Sequence, residues 1–434
     1  MSPSLLHSIL VHLPTPESFV LRKAFRFRLR PTPAVRQRLA QMAGCTRFLY
    51  NKALALNLNL LEQKQPILRY TKLCSQLQSW KQEEATLWLQ QAHSQVLQQA
   101  LKNLDRAFQD GLDVKQPGKK MPRFKKRGRQ DSFRYPQGFK LRGNRVYLPK
   151  IGWVGMFKSQ EVEGAIKNVT VSREGEHWFV SIQTEQEVRF EEEIVGGILG
   201  VDLGVVHQLT QSDGVQHPPV EAYRQAQQRL RREQRTLSRR VKGSNNWHKQ
   251  VRRIRRLHQR ISNLRKDVLH KLSHTLSQNH AVVCVEDLKV KNMTKSAKGT
   301  VESPGRNVKA KGGLNKAILE QGWGEFVRQL EYKLRWKGGR LVKVNPAYSS
   351  QECHACGFRS GENRKSQHEF ECGSCGWDGN ADVNGALNIL HRGWEKLCEE
   401  NVPVDVGCKP VEGEGVGLPV KQEPVGNCEE VPLR

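Results

Sequence analysis

Apolar and polar residues alternate most clearly near the start of the chain, in the segment Lys23–Arg30, where Phe25, Phe27 and Leu29 are separated by arginines. A period of two predicts a β-strand with one apolar face and one positively charged face. Shorter runs of the same kind, separated by glycines and charged turns, follow between residues 132 and 190. They predict an antiparallel sheet or a small barrel.

Three other segments carry apolar residues at the three- and four-residue spacing of an amphipathic helix. Residues 34–110 predict a small helical bundle, residues 221–275 predict a helical hairpin broken near Gly243, and residues 314–334 predict one further helix. Short apolar runs between these segments predict buried strands, at 198–206, 281–285 and 341–344. Strands and helices in one long chain predict an α/β multidomain protein.

The charge of the chain makes a polyanion its expected partner. The 434 residues include 71 Lys and Arg against 43 Asp and Glu, a net charge of +28. Residues 118–130 contain seven basic residues and no acid, and residues 221–275 contain 17 basic and three acidic residues. Nucleic acid is the polyanion that such segments favour. A solvated charged hairpin without a ligand is the alternative interpretation of 221–275.

The sequence predicts neither a membrane-spanning helix nor a signal peptide, and it predicts disorder at both ends. The longest apolar stretches are far shorter than the roughly 20 residues of a membrane-spanning helix. Residues 1–21 lack the basic start of a signal peptide, so we expect a disordered extension there. Residues 401–434 combine three basic with six acidic residues without apolar period, which predicts a disordered tail.

Four of the ten cysteines have the spacing of a zinc ribbon. Cys353 and Cys356 form one CxxC pair, Cys372 and Cys375 form a second, and a glycine follows each pair. Four thiolates make a closed tetrahedral site, which predicts a structural zinc ion and leaves His354 and His368 as weaker ligand candidates. The other six cysteines are scattered, as is typical of a reducing compartment, and we expect a cytoplasmic protein.

Three acidic residues stand where apolar elements begin or end. Asp202 and Glu286 each end a predicted buried strand, and Asp382 opens a short amphipathic helix. Carboxylates in apolar surroundings need a partner, and three of them around one point would bind magnesium. Two such ions roughly 4 Å apart can activate water and stabilise the leaving 3′ oxygen in phosphodiester hydrolysis. The alternative is that these acids only cap their elements, with Asp287 and Asp378 as nearby surface acids.

Seven sequence blocks, taken in order, resemble the TnpB (OrfB) family of insertion-sequence proteins, which are compact RNA-guided DNA endonucleases related to type V CRISPR effectors. The blocks are Lys23–Asn51, Pro122–Lys126, Gly200–Val206, Val285–Leu288, Leu314–Phe326, Ser349–Gly357 and Ala381–Asn384. Gly385 stands where the family usually has alanine, which costs the helix roughly 1 kcal/mol. The extension at the N-terminus has no counterpart in the family.

The resemblance implies a split nuclease domain of the RNase H-like (RuvC-like) fold with an inserted zinc ribbon, preceded by a wedge-like β-barrel with an inserted helical recognition lobe. It implies these boundaries: extension 1–21, wedge 22–33 and 118–193, recognition lobe 34–117, nuclease domain 194–348 and 379–400, zinc ribbon 349–378 and tail 401–434. Within the nuclease domain, residues 221–280 would form the basic hairpin and residues 289–313 a mobile lid.

The resemblance also implies a function. Asp202, Glu286 and Asp382 would be the catalytic residues and bind two Mg²⁺ ions, with Mn²⁺ as a substitute, while zinc would be structural. The partners would be a guide RNA and target double-stranded DNA, cut beside a short adjacent motif, in a prokaryotic cytoplasm near the nucleoid. Basic residues expected to contact nucleic acid are Arg26, Arg28, Arg123, Lys125, Lys126, Arg252, Arg253 and Arg256. The sequence leaves open whether the protein is a monomer or a dimer.

Three other functions agree less well with the sequence. A guide-dependent DNA-binding regulator without cleavage would predict a damaged triad, whereas all three acids are present. A single-strand transposase would need a His-x-His metal site, and none of the 14 histidines lies two positions from another. A junction resolvase would leave the zinc ribbon, the lid and the basic loop without a role.

Overall fold

The computed structural model describes residues 9–13, 18–116, 118–129, 131–189, 194–218, 221–366, 368–400, 402 and 404–406. These residues divide into two compact units. The described residues within Ser18–Val188 form the N-terminal unit, and the described residues before Ser18 and from Arg189 onward form the C-terminal unit. No helix in the described part of the chain is long and apolar enough to cross a membrane.

After strand β1 (Ile9–Leu13), which belongs to the C-terminal unit, the N-terminal unit forms an antiparallel sheet of seven strands. Its strands are β2 (Phe19–Arg30), β3 (Ser132–Tyr135), β4 (Lys140–Arg142), β5 (Arg145–Leu148), β6 (Gly152–Phe157), β7 (Ala165–Glu174) and β8 (His177–Val188). They lie in the order β3-β7-β8-β2-β6-β5-β4. The alternation predicted for β2 is confirmed, because Phe25, Phe27 and Leu29 are buried while the arginines between them are exposed.

The helices of this unit follow β2 and pack on the same core as the sheet. They are α1 (Pro33–Glu62), α2 (Tyr70–Gln82), a 3₁₀ segment (Glu84–Gln91) and α3 (Ser94–Leu112). Helix α1 begins where the sequence favours it, since the Thr32 side chain accepts a hydrogen bond from the amide of Val35 and Pro33 occupies the first turn. The helical bundle predicted for residues 34–110 is therefore confirmed.

The C-terminal unit is built on a second sheet of seven strands, which mixes parallel and antiparallel pairs. Besides β1 it contains β9 (Ile194–Asp202), β10 (Leu209–Gln211), β11 (Gln216–His217), β12 (Val282–Glu286), β13 (Arg340–Val344) and β16 (Val404–Val406). Strand β12 runs parallel to β9 on one side and to β13 on the other, whereas β1 and β10 pair with β9 antiparallel. A separate hairpin joins β14 (Glu369–Glu371) and β15 (Asp378–Asn380).

Helices cover both faces of the parallel strands. They are α4 (Glu221–Ser238), α5 (Asn245–Asn279), α6 (Val290–Met293), α7 (Val308–Gln321), α8 (Trp323–Trp336) and α9 (Ala381–Glu399). Along β12, Val282 and Cys284 pack in one core with residues of α9, whereas Val283 and Val285 pack in another with residues of α5 and α8. The α/β content predicted from the sequence is thus observed, as a sheet between two helical layers.

The structure corrects part of the prediction that residues 1–21 and 401–434 are disordered, because residues 9–13, 19–21 and 404–406 lie in strands. Strand β1 pairs with β9 on one edge and with β16 on the other, and β2 already begins at Phe19. Val11 and Leu13 are buried in the core beneath α9. Each terminal segment is too short to show a local pattern, and only pairing with the other makes it a strand. Residues 1–8, 14–17 and 407–434 lie outside the described residues.

Two helical predictions also change in detail. The segment 314–334 forms two helices rather than one, because Gly322 adopts a left-handed conformation (φ 73°) between α7 and α8. The predicted lid, 289–313, is partly helical, since α6 lies at its start and α7 begins at Val308.

Candidate active site and cysteine module

Two of the predicted carboxylates stand side by side at one edge of the sheet. Asp202 is the last residue of β9 and Glu286 the last residue of β12. The two strands are parallel, with Val201 beside Val285 in the register. Parallel strands end at the same edge of a sheet, so Asp202 and Glu286 lie next to each other there.

The alternation of side chains directs both acids to the face covered by α9. Glu286 has the parity of Val282 and Cys284, which pack in the α9 core. Asp202 has the parity of Gly200, where a β-carbon would lie 2.2 Å from the carbonyl oxygen of Ala386 in α9. Helix α9 therefore crosses β9 in backbone contact, and this close approach brings the start of the helix to the strand ends.

Asp382 enters the site from the first turn of α9. The side chain of Asn380 caps the helix, because its Oδ1 accepts hydrogen bonds from the amides of Asp382 and Val383. Asp382 is buried, and its Oδ1 accepts a hydrogen bond of 3.2 Å from Nη2 of Arg364. Its Oδ2 lies 3.7 Å from Nδ1 of His207. A carboxylate in the first turn is also favoured by the helix dipole.

The three carboxylates act on one another electrostatically. Burial raises the pKa of Asp202 to about 7, and the charges of Glu286 and Asp382 add to the effect, while Arg364 opposes it. Burial also raises the pKa of Glu286, against the hydrogen bond from Ser349 and the charge of Arg392. A group of acids that resist ionisation together is the arrangement that a hard divalent cation stabilises.

The four predicted zinc ligands lie together. Their sulfurs are within 4.8 Å of one another, and this is the one such group of three or more metal-ligating side chains in the described part of the chain. Sγ of Cys353 is 3.8 Å from that of Cys375, and Sγ of Cys356 is 3.6 Å from that of Cys372. Zinc at its usual Zn–S distance of about 2.3 Å separates its sulfurs by roughly 3.8 Å, so the thiols fit a tetrahedral zinc ion.

Each cysteine pair sits in the same tight turn. The amides of Gly357 and Gly376 donate to the carbonyl oxygens of Cys353 and Cys372, and both glycines have φ near +73°. Around the Cys372 thiol, burial opposes ionisation, but the amides of Cys375 and Ser374 outweigh it and lower the pKa to about 7. Backbone amides that point at a sulfur stabilise the thiolate, which is the form that binds zinc.

Sequence reasoning did not find the residues that hold these carboxylates. Ser349 Oγ donates to Glu286 Oε1 at 2.5 Å, and Arg364 and His207 flank Asp382. Ser349 and Arg364 belong to the cysteine module, residues 349–378, and His207 lies in the loop after β9. The weak signal available was that Ser349 begins the block that contains the first cysteine pair.

The predicted nucleic-acid residues of the N-terminal unit lie on exposed segments. Arg26 stacks 4.1 Å from the ring centre of Phe179 and pairs with Glu174 at 2.7 Å. Arg28 lies 5.5 Å from the ring centre of Phe157. Arg123, Lys125 and Lys126 are exposed, although Lys125 Nζ lies 3.9 Å from the ring centre of Tyr50. Their contact with nucleic acid stays a prediction.

The remaining three predicted residues lie on α5. Arg252, Arg253 and Arg256 are exposed along this 35-residue helix, which packs on α4 through its apolar residues. Arg253 Nη1 is 3.6 Å from a carboxylate oxygen of Glu233 in α4. The hairpin of α4 and α5 thus presents a basic surface, and its role in binding also stays a prediction.

The C-terminal unit thus combines acidic residues at one edge of a mixed α/β sheet with a four-cysteine module. Three family profiles match. The IS605 OrfB profile, described as a "probable transposase", covers residues 181–297, the Cas12f1-like TNB domain covers 323–389, and a helix-turn-helix domain profile covers 21–65. The helix-turn-helix profile falls on strand β2 and helix α1 in the structure.

The chain belongs to the OrfB (TnpB) family, as its full-length relatives show. It is 47% identical over 405 residues to the "putative RNA-guided DNA endonuclease InsQ" of Escherichia coli K12, an alignment that covers 93% of this chain and 97% of the relative. It is 33% identical to a "putative RNA-guided DNA endonuclease" of Streptomyces pristinaespiralis, covering 86% of this chain and 90% of the relative.

Solved structures give a weaker likeness. The mini-RNA-guided endonuclease CRISPR-Cas_phi3 aligns over 91% of this chain and 94% of its own, at 13% identity and a TM-score of 0.42. Cas12f1 in complex with guide RNA and target DNA aligns over 85% of this chain and 98% of its own, at 15% identity and a TM-score of 0.31.

Proposed function

We propose that this chain is an RNA-guided DNA endonuclease, which binds a guide RNA and cleaves complementary DNA beside a short adjacent motif. The observation that carries the proposal is that Asp202 and Glu286 end adjacent parallel strands, while helix α9 crosses β9 so closely that the charge of Asp382 contributes to the raised pKa of Asp202. The near full-length identity to relatives named as RNA-guided DNA endonucleases supports the same activity.

Asp202, Glu286 and Asp382 would hold Mg²⁺, and Mn²⁺ could replace it, because hard cations favour carboxylate oxygens. Two bound ions would supply an activated water and stabilise the leaving 3′ oxygen. The protein's own contribution is to hold Asp202 and Glu286 where burial raises the pKa of both carboxyls, so that they resist ionisation when no cation is present. One such site would cut the displaced strand and the target strand in turn.

The cysteine module would hold a structural zinc ion. Four thiols at tetrahedral spacing fill the coordination sphere, so zinc there has no open position for water or substrate. Its position in the chain, directly before Asp382, makes it an insertion in a split nuclease domain of residues 194–348 and 379–400. We assign this domain to the RuvC-like type of RNase H-like fold.

The basic surfaces would neutralise the backbones of the guide RNA and the RNA–DNA duplex. The exposed segment at 118–129 and the hairpin of α4 and α5 carry most of this charge. The N-terminal unit would then serve as the wedge, with strand β2 and the sheet, and as the recognition lobe, with helices α1 to α3.

The test uses the protein expressed with the flanking DNA of its own locus, so that its guide RNA copurifies. The complex is assayed on a plasmid library with a guide match beside randomised sequence, in magnesium and in EDTA. We expect magnesium-dependent cutting that is lost in Asp202→Ala and retained in the control Asp287→Ala, because the half-exposed side chain of Asp287, beside Glu286, pairs with Lys289. Guide-dependent binding without cutting would instead make the protein a DNA-binding regulator.

A further inference from the structure

Two of the three carboxylates, those of Glu286 and Asp382, accept hydrogen bonds from residues of the cysteine module. Ser349 Oγ donates to Oε1 of Glu286 at 2.5 Å, and Arg364 Nη2 donates to Oδ1 of Asp382 at 3.2 Å. Each contact engages one oxygen of its carboxylate and fixes the orientation of the group. The second oxygen of Asp382, Oδ2, lies 3.7 Å from Nδ1 of His207.

The position of Arg364 depends on both cysteine pairs. Its neighbour Asn363 is 1% exposed, and the Asn363 side chain donates to the carbonyl oxygens of Gln351 and Phe358 and accepts from the amide of Gly373. Phe358 follows the first cysteine pair, and Gly373 lies within the second. The turns that the thiolates bring together thus fasten the loop that carries Arg364.

The position of Ser349 depends on α9, the helix that carries Asp382. Asn388 Nδ2 donates to the carbonyl oxygens of Ser349 and Glu352, at 2.9 and 2.7 Å, and Asn384 Nδ2 donates to the latter at 2.8 Å. Asn384 and Asn388 are both buried. Buried amides with paired hydrogen bonds make a rigid connection between the helix and the start of the module.

We propose that Ser349 and Arg364 are positioning residues for the divalent-cation site, and that the cysteine module orients two of its three carboxylates. This inference rests on the proposed function, because it takes the carboxylates as cation ligands. Residues that hydrogen-bond to metal ligands fix the ligand geometry, and their loss typically weakens metal affinity or activity by about 10- to 100-fold.

The positive charge of Arg364 allows two explanations to be separated, because charge repulsion alone predicts that loss of Arg364 tightens cation binding. A guanidinium roughly 6 Å from a divalent cation in a hydrated site repels it enough to weaken binding about tenfold. If repulsion were its main effect, Arg364→Met would bind the cation more tightly. If orientation of Asp382 dominates, the same variant binds it more weakly.

The test measures Mn²⁺ binding by electron paramagnetic resonance on the full zinc-loaded chain without RNA, so it does not depend on cleavage. Arg364→Met and Ser349→Ala should each weaken Mn²⁺ binding by about 10- to 100-fold. The controls are Lys365→Met, which removes the adjacent exposed charge, and Ser350→Ala, which removes the adjacent hydroxyl. Both controls should bind Mn²⁺ like the unchanged protein.

Zinc content is measured in every variant, because retained zinc shows that the module is still folded. Arg364→Lys keeps the charge and should restore part of the affinity, which a merely structural defect would not predict. Equal or tighter Mn²⁺ binding in Arg364→Met and Ser349→Ala, with zinc retained, would overturn the inference. If the unchanged protein failed to bind Mn²⁺, the proposed cation site itself would be wrong.

Discussion

Replacing Asp202 with asparagine should stabilise the cation-free protein. The folded state holds the pKa of Asp202 at about 7, whereas an aspartate in an unfolded chain titrates near 3.9. A raised pKa means that the folded state binds the proton more tightly, so this group's contribution to stability falls as pH rises from about 4 to about 7. Asparagine has nearly the same shape and no charge, and it avoids this loss.

The magnitude follows from the size of the shift. Three pKa units correspond to about 4 kcal/mol above pH 7, and at pH 5 the loss is only about a third of that. For a unit of this size each kcal/mol changes the Tm by about 2 °C. We therefore expect Asp202→Asn to raise the Tm in EDTA by about 8 °C at pH 8 and by about 3 °C at pH 5.

The assay is differential scanning calorimetry of the protein without RNA, in EDTA and in magnesium. Magnesium should stabilise the unchanged protein and have little effect on Asp202→Asn, because the cation offsets the same repulsion. Asp287→Asn is the control, since its exposed carboxylate has its pKa lowered by Lys289, and its loss should not raise the Tm. A lower Tm for Asp202→Asn at pH 8 in EDTA, or an equal rise at both pH values, would refute the reasoning.

Three further predictions test other parts of the structure. Gly200→Ala should lower the Tm and reduce cleavage, because its β-carbon would lie 2.2 Å from the Ala386 oxygen. Gly385→Ala should raise helix stability by about 1 kcal/mol with cleavage retained, because its β-carbon would lie 3.5 Å from Oδ2 of Asp202, an ordinary van der Waals distance. Cys356→Ser should lower zinc content and also weaken Mn²⁺ binding. Normal Mn²⁺ affinity after zinc loss would contradict the proposal that the cysteine module orients the carboxylates. Arg252→Ser should reduce the salt dependence of RNA binding, measured as the slope of log affinity against log salt, by about 0.7–0.9, and an unchanged slope would remove Arg252 from the interface.

Local patterns predicted the elements that depend on near neighbours in the chain. Apolar runs marked the strands of both Asp202 and Glu286, although β9 ends at Asp202 and does not continue to Val206 as predicted. The CxxC spacing located four thiols because each pair is formed by one short turn. The parallel register that makes the two acids neighbours was not visible in either run.

The terminal strands show why other parts could not be predicted. Val11 is fully buried, yet its strand exists only because it pairs with β9 and with Val404–Val406 from the far end of the described chain. Five residues with a weak apolar pattern do not reveal a partner nearly 400 positions away, so both segments were expected to be disordered. Pairing across such a distance is a property of the assembled sheet.

The hydrogen-bond partners of the carboxylates could not be predicted from the sequence for the same reason. A buried acid requires a hydrogen-bond donor or a cation, so physical chemistry predicts that Glu286 and Asp382 have such partners. It does not predict which residues they are, because Ser349 is 63 positions from Glu286 and Arg364 reaches Asp382 across the folded cysteine module. The acids can be read from the sequence because each lies at the end of its own element, whereas the residues that orient them depend on how those elements pack. Variants of Ser349 and Arg364 therefore test the packed site, and variants of the acids test the chemistry.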